Sequence, residues 1–259
     1  MEELSLAAHR DEGPSSLLIQ APEFRDAHGL LNALKKNKRL KHLSFQRMKI
    51  GDECIEVLGD FTSLTTLHLH DVKVSEEFVG KLAELHPSRS PFAASLQSLH
   101  INHLPIDWRR STGFLRHWPQ LKELSLYSSP GMREEELMDF MDHLAPPKNG
   151  VETAGSSSTL PSSPPQLYSL RLGNFSGYLS PSATAAVVDA LSRSGLPFFD
   201  IQNLGGSRKN EPVIEAQLKR NQRNFLLGKD STRVAATSMR LFICGDPFAG
   251  KQSTLSLKH

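Results

Sequence analysis

The residues with the clearest chemical potential are Gly245-Asp-Pro-Phe-Ala-Gly250-Lys251, which follow the short apolar run Arg240-Leu-Phe-Ile-Cys244. Glycine, four residues, glycine and lysine after a strand is the spacing of a loop wrapped around phosphate. The glycines let backbone N–H groups curl about the oxygens, and Lys251 brings a positive charge to the outer phosphates. A Ser or Thr should follow to ligate magnesium. Here Gln252 takes that place, with Ser253 and Thr254 one and two positions late. Gly245, Gly250 and Lys251 are therefore the expected nucleotide-binding residues. Eight residues follow Lys251, with no Asp-x-x-Gly or Asn-Lys-x-Asp element among them. The expectation is an incomplete phosphate loop, with no bound cofactor and with GTP and magnesium relevant only to a completed domain.

A second group is histidine-rich. His68, His70 and His100 are expected to sit close together, with His42 on an earlier strand. Imidazoles titrate near pH 6.5, which suggests a hydrogen-bonding, pH-sensitive docking patch; the alternative is an ordinary polar surface. Zinc is the less favoured chemistry, because no Cys or carboxylate is expected to join the cluster. Tyr127, flanked by Glu123 and Arg171, is the most obvious aromatic anchor, since aromatic and arginine side chains dominate binding hot spots.

What positions these residues is an internal repeat. Leu40-x-x-Leu43-x-Phe45 recurs as Leu64-x-x-Leu67-x-Leu69, Leu96-x-x-Leu99-x-Ile101, Leu121-x-x-Leu124-x-Leu126 and Leu167-x-x-Leu170-x-Leu172. Weaker copies lie at Leu17-x-Ile19 and Leu196-x-x-Phe199-x-Ile201. Apolar residues two apart point to one face of a strand. Helical patterns follow: Ser75 as a cap before Glu76 and Glu77, then Glu134 to Leu144, then Ser182 to Leu191. The fold class expected is α/β, a leucine-rich-repeat solenoid of the ribonuclease-inhibitor-like horseshoe kind, with parallel strands on the concave face and helices on the convex side. A doubly wound βαβ sheet is the competing reading. On the solenoid reading, Ser44, His68, His100, Ser125 and Arg171 form one concave column, with Gln46, His70, Asn102 and Tyr127 in the next.

Domain boundaries follow from composition. Residues 1–13 read as an N-terminal tail and 14–227 as the repeat domain. The Ser/Pro/Gly-rich stretch 146–165 reads as a disordered insertion, either a tolerated bulge or a docking and phosphorylation segment. Asn210 to Leu227 suggests a capping helix with Ile214, Leu218 and Phe225 on its apolar side; its Lys219, Arg220 and Arg223 leave an anion-binding or partner-binding face as the alternative. Residues 228–238 read as a linker, and 239–259 as the start of a phosphate-loop domain. Thirty basic against 28 acidic side chains leave no global field to attract nucleic acid. No apolar run approaches a membrane span, and two cysteines, Cys54 and Cys244, do not make a disulfide framework, so an intracellular, cytoplasmic protein is expected, membrane-associated only through partners. Scattered Ser, His and Asp residues form no nucleophile elbow, and no enzymatic activity is expected.

Repeats leading through a short linker into Met239-Arg-Leu-Phe-Ile-Cys-Gly-Asp-Pro-Phe-Ala-Gly-Lys251 resemble the Roco family, and most of all its plant Tornado-type members. In that family leucine-rich repeats precede a Ras-like GTPase domain, Roc, and a dimerising domain, COR. The resemblance covers about residues 14–227 and 239–259. It implies a signalling scaffold of growth patterning that binds a protein ligand, with Gly245, Gly250 and Lys251 in the phosphate-cradling positions. It also implies truncation at the start of Roc, and no oligomerisation without COR. Adding GTP or ATP with magnesium is expected to leave the thermal unfolding midpoint of this chain unchanged; a nucleotide-dependent rise would overturn the incomplete-loop reading.

Overall fold

The computed structural model describes residues 5–7, 15–20, 26–145, 167–175, 179–201 and 211–227. The phosphate-loop residues Gly245, Gly250 and Lys251, the insertion 146–165 and the linker 228–238 lie outside them.

Eight strands form one sheet in chain order. β1 (Ser5–Ala7) runs antiparallel to β2 (Ser16–Gln20), so the expected tail 1–13 contributes a short strand along one edge. From β2 onward every neighbour is parallel: β3 (His42–Gln46), β4 (Thr66–His70), β5 (Ser98–Leu104), β6 (Glu123–Met132), β7 (Ser169–Phe175) and β8 (Phe198–Ile201). The sequence motif sets the register. Leu17, Leu43, Leu67, Leu99, Leu124, Leu170 and Phe199 stand side by side across the sheet. Ile19, Phe45, Leu69, Ile101, Leu126, Leu172 and Ile201 make a second row two residues on. Leu40, Leu64, Leu96, Leu121, Leu167 and Leu196 supply a third, all buried. One face of the sheet is therefore packed, while the residues between these rows are half-buried or exposed, apart from the buried Ser125 and Gly173. Sequential strand order with one open face does not fit a doubly wound sheet, whose order reverses and whose faces are both covered.

Backbone hydrogen bonds bind each strand–helix unit to the next ahead of the strands themselves. The Lys41 carbonyl accepts from both Thr65 and Thr66 N–H at 2.8 and 2.9 Å. The Thr65 carbonyl does the same for Gln97 and Ser98, Gln97 for Lys122 and Glu123, and Lys122 for Tyr168 and Ser169. Serine hydroxyls satisfy the leucine carbonyls one step back: Ser63 Oγ donates to Leu40 O at 2.9 Å, and Ser95 Oγ to Leu64 O at 3.1 Å. Arg47, Asp71 and His103, each one residue past the open-face column, have φ of 52°, 52° and 60°. A left-handed step at a non-glycine residue is costly, and its recurrence here turns the chain off the sheet at the same point in three successive units.

Helices cover the packed face: α1 (Ala27–Leu34), α2 (Cys54–Gly59), α3 (Phe78–Ala83), α4 (Pro91–Ser95), α5 (Trp108–Ser111), α6 (Gly113–His117), α7 (Glu134–Leu144), α8 (Pro181–Ser194) and α9 (Glu211–Leu227). α7 buries the expected Leu137, Phe140, Met141 and Leu144. α8 begins earlier than expected. Its cap is Ser180, whose Oγ accepts from Ala183 N–H at 3.1 Å and donates to Glu134 Oε1 at 2.6 Å, tying α8 to α7. Ser75 does not cap α3 as the spacing suggests; its hydroxyl donates to Asp52 of the preceding unit at 2.6 Å. Glu77 holds the cap position of α3 instead, and no side chain makes a cap hydrogen bond there. Burial pushes the Cys54 thiol up to about 11, the state of an inert core sulfur.

α9 closes the far end. Ile214, Gln217 and Asn221 face inward, and the Asn221 amide donates to the carbonyls of Leu191 and Leu196, both at 2.8 Å. Phe225, expected on the apolar side, is instead 57% exposed, because the helix runs past the body it packs on. No helix among the described residues is long and apolar enough to cross a membrane. Leu99→Ala, which removes a fully buried side chain, should lower unfolding free energy by about 3 kcal/mol in urea titrations. His68→Ala on the open face should cost less than about 0.5 kcal/mol.

Candidate functional site

The open sheet face carries a groove of about 540 Å³ running across β2 to β6. Its floor is set by strand alternation: where Leu67 and Leu69 point into the core, Thr66, His68 and His70 must point out. His68 of β4 and His100 of β5 are register partners, and their rings meet edge to face with centroids 4.3 Å apart.

His70 does not join them. It packs with His103 at 5.6 Å, so the expected cluster of three resolves into two pairs. The reason is metric: neighbouring strands lie about 4.8 Å apart, whereas residues two apart on one strand are separated by about 6.6 Å. His42 lines the same groove but stands in register with Thr66, two residues before the His68 column.

A carboxylate does reach the histidines, contrary to the expectation. Glu123 Oε2 lies 3.7 Å from His100 Nε2 and accepts from Ser98 Oγ at 3.1 Å. Tyr168 OH donates to Glu123 Oε1. Ser98 Oγ is also 2.9 Å from His100 Nε2. The sequence singles out Glu123 only as a flank of Tyr127 and does not single out Ser98 or Tyr168, although His42, Thr66, Ser98, Glu123 and Ser169 form a column one strand position before the first core leucine. Tyr168 had no such signal, because it precedes its strand.

Electrostatics follow from this packing. Burial drives the His100 imidazole below its ordinary range, helped by Arg171 and opposed by Glu123. Burial also pushes Glu123 up, but the hydrogen bonds from Tyr168 and Ser98, with the charges of His100 and Arg171, outweigh it and hold the carboxyl below the usual range. The Tyr168 phenol, donating to that carboxylate, is pushed up to about 12. Ser98, His100 and Glu123 have the composition of a hydrolytic triad but not its order. In a relay the acid holds the imidazole nitrogen remote from the serine, whereas here both Ser98 and Glu123 approach Nε2. Ser98 gives its one proton to Glu123, so toward His100 Nε2 it can only accept, which makes a polar platform rather than an activated nucleophile. Among the described residues no group of three or more His, Cys, Asp or Glu is placed to hold a metal ion.

Tyr127 is half-buried rather than upstanding. Its register partner is Gly173, and a Cβ built there would come within 1.8 Å of the Tyr127 ring. The ring lies over the glycine. Arg171 is exposed, between Ser125 of β6 and Asp200 of β8. No protein-family model matches the chain, and a search of the curated proteins finds no match.

The lowered His100 and His117 predict acid sensitivity. Between each folded value and the ordinary value near 6.5, the unfolded chain binds a proton that the folded chain does not. Their contribution is thus intact above about pH 6.5 and is lost as the pH falls below it. The urea midpoint should drop between pH 7.5 and pH 5.5, and His100→Gln should flatten part of that drop. An identical profile for the variant would remove His100 as a cause.

Proposed function

We propose that this chain is a leucine-rich-repeat scaffold of the ribonuclease-inhibitor-like horseshoe kind, which docks a protein ligand on the open face of its sheet and acts by binding rather than catalysis. The observation that carries this reading is the common register of seven parallel strands, with three rows of buried leucine-type residues behind them. Such an arrangement gives a broad surface of outward side chains held by a rigid interior, which suits recognition of an extended partner. Aromatic and basic groups at Tyr127 and Arg171, beside the groove of His68 and His100, are the side chains that most often anchor interfaces. The sequence resemblance supports a place for this scaffold in a Roco-type signalling protein of plant growth patterning, ahead of a GTPase domain.

Peptides selected from a random display library on this protein test the reading. Ser44→Arg/Tyr127→Ala, on the open face, should weaken the selected peptides by about tenfold or more. Glu56→Ala/Arg89→Ala, exposed on the helix side, should leave them unchanged. Peptides that ignore the first variant and respond to the second would move the binding surface to the other side of the molecule.

A further inference from the structure

The groove on the open face is lopsided in its chemistry. Its lining holds one carboxylate, Glu123, and both oxygens of that group are already engaged, one by Tyr168 and the other by Ser98. Those two bonds take up about half of its accepting capacity and hold the group in place against the floor. The cationic and cationisable groups around it are more numerous: Lys122, His42, His68 and His100. The Lys122 ammonium carries three donors, of which Gln97 Oε1 takes one at 3.0 Å. His68 and His100 press against each other ring to ring at 4.3 Å between centroids, so charging both sets like charges side by side, a repulsion that a negative group above them would offset.

We infer that the groove receives an acidic segment of the partner protein, its carboxylates meeting Lys122 and the His68–His100 pair, and that docking draws protons onto those imidazoles. The inference rests on the open face being the docking surface, and it adds the partner's charge and the pH response. The groups facing His100 set the direction. They are His68 from β4, Glu123 from β6 with Lys122 just ahead of it, Tyr168 ahead of β7 and Arg171 from β7, with His42 of β3 farther along the groove. Without ligand, burial and Arg171 disfavour the charged form of His100. A bound carboxylate reverses that balance and favours imidazolium, so proton uptake accompanies binding and affinity rises as the pH falls.

The test uses ten-residue acetylated peptides of alternating Asp-Ser, Asn-Ser and Lys-Ser, titrated into the full chain while the histidine-ring NMR signals are followed at pH 7.5 and pH 5.5. Asp stays ionised at both values, so any pH dependence belongs to the protein. The Asp-Ser peptide should shift the His68 and His100 rings and bind about tenfold or more tighter at pH 5.5. The Asn-Ser and Lys-Ser peptides should leave those rings in place. Lys122→Gln should weaken the acidic peptide at both pH values, and His68→Gln/His100→Gln should abolish the pH dependence, with circular dichroism reporting that each variant is folded. Acidic binding that is absent, remote from the groove or equal at both pH values overturns the inference. If display-selected peptides still map to the open face in that event, the docking surface stands and only its acidic preference falls. If no peptide of any charge perturbs that face, the docking reading falls as well.

Discussion

Every feature of the open face depends on one constraint, the hydrogen bonding of each unit's backbone to the next through doubly used carbonyls. Lys41, Thr65, Gln97 and Lys122 each accept two N–H groups from the following unit, and this fixes the translation between units before any side chain is chosen. The leucine rows then make that translation favourable, because a single strand with its helix has no partner for its apolar face. A fully buried Leu contributes about 1.5–3 kcal/mol, and each row repeats the contribution along the sheet. Register follows, and with it the alignment of every outward column. A slip of one residue in any strand would turn its leucines to solvent and send its histidines into the core.

The interior was legible from the sequence for this reason. Leucines at fixed spacing obey one geometric rule in every unit, so Leu43, Leu67, Leu99, Leu124 and Leu170 could be aligned by inspection, and the structure sets them side by side. α7 was equally readable, since its apolar residues carry an unbroken helical period. The helix starts and the groove carboxylate were hidden for a different reason. Ser75 binds Asp52, Ser180 binds Glu134, and Tyr168 binds Glu123, each across a neighbouring unit. Local spacing carries no information about a bond that spans from 23 to 46 residues. Such bonds decide helix starts and the state of the groove, so those were the parts that changed.

The groove shows how a sheet of like units acquires individuality. Its walls are copies of one unit, yet the outward residues vary freely because the fold asks nothing of them except that they avoid the core. His68 and His100 meet because adjacent strands are close; His70 finds His103 because the chain takes a left-handed step there. Glu123 then joins from β6, and its engagement by Tyr168 and Ser98 turns an isolated charge into a fixed part of the floor.

Gly173 and Tyr127 carry a consequence for descent. The phenol ring occupies the space that any side chain at 173 would need, so the two positions form one inherited unit rather than two independent choices. A lineage that gains a methyl or more at 173 must shrink or swing its neighbour on β6, and the face would change its profile there in a single paired step. Change at either position is therefore tied to the other by space alone.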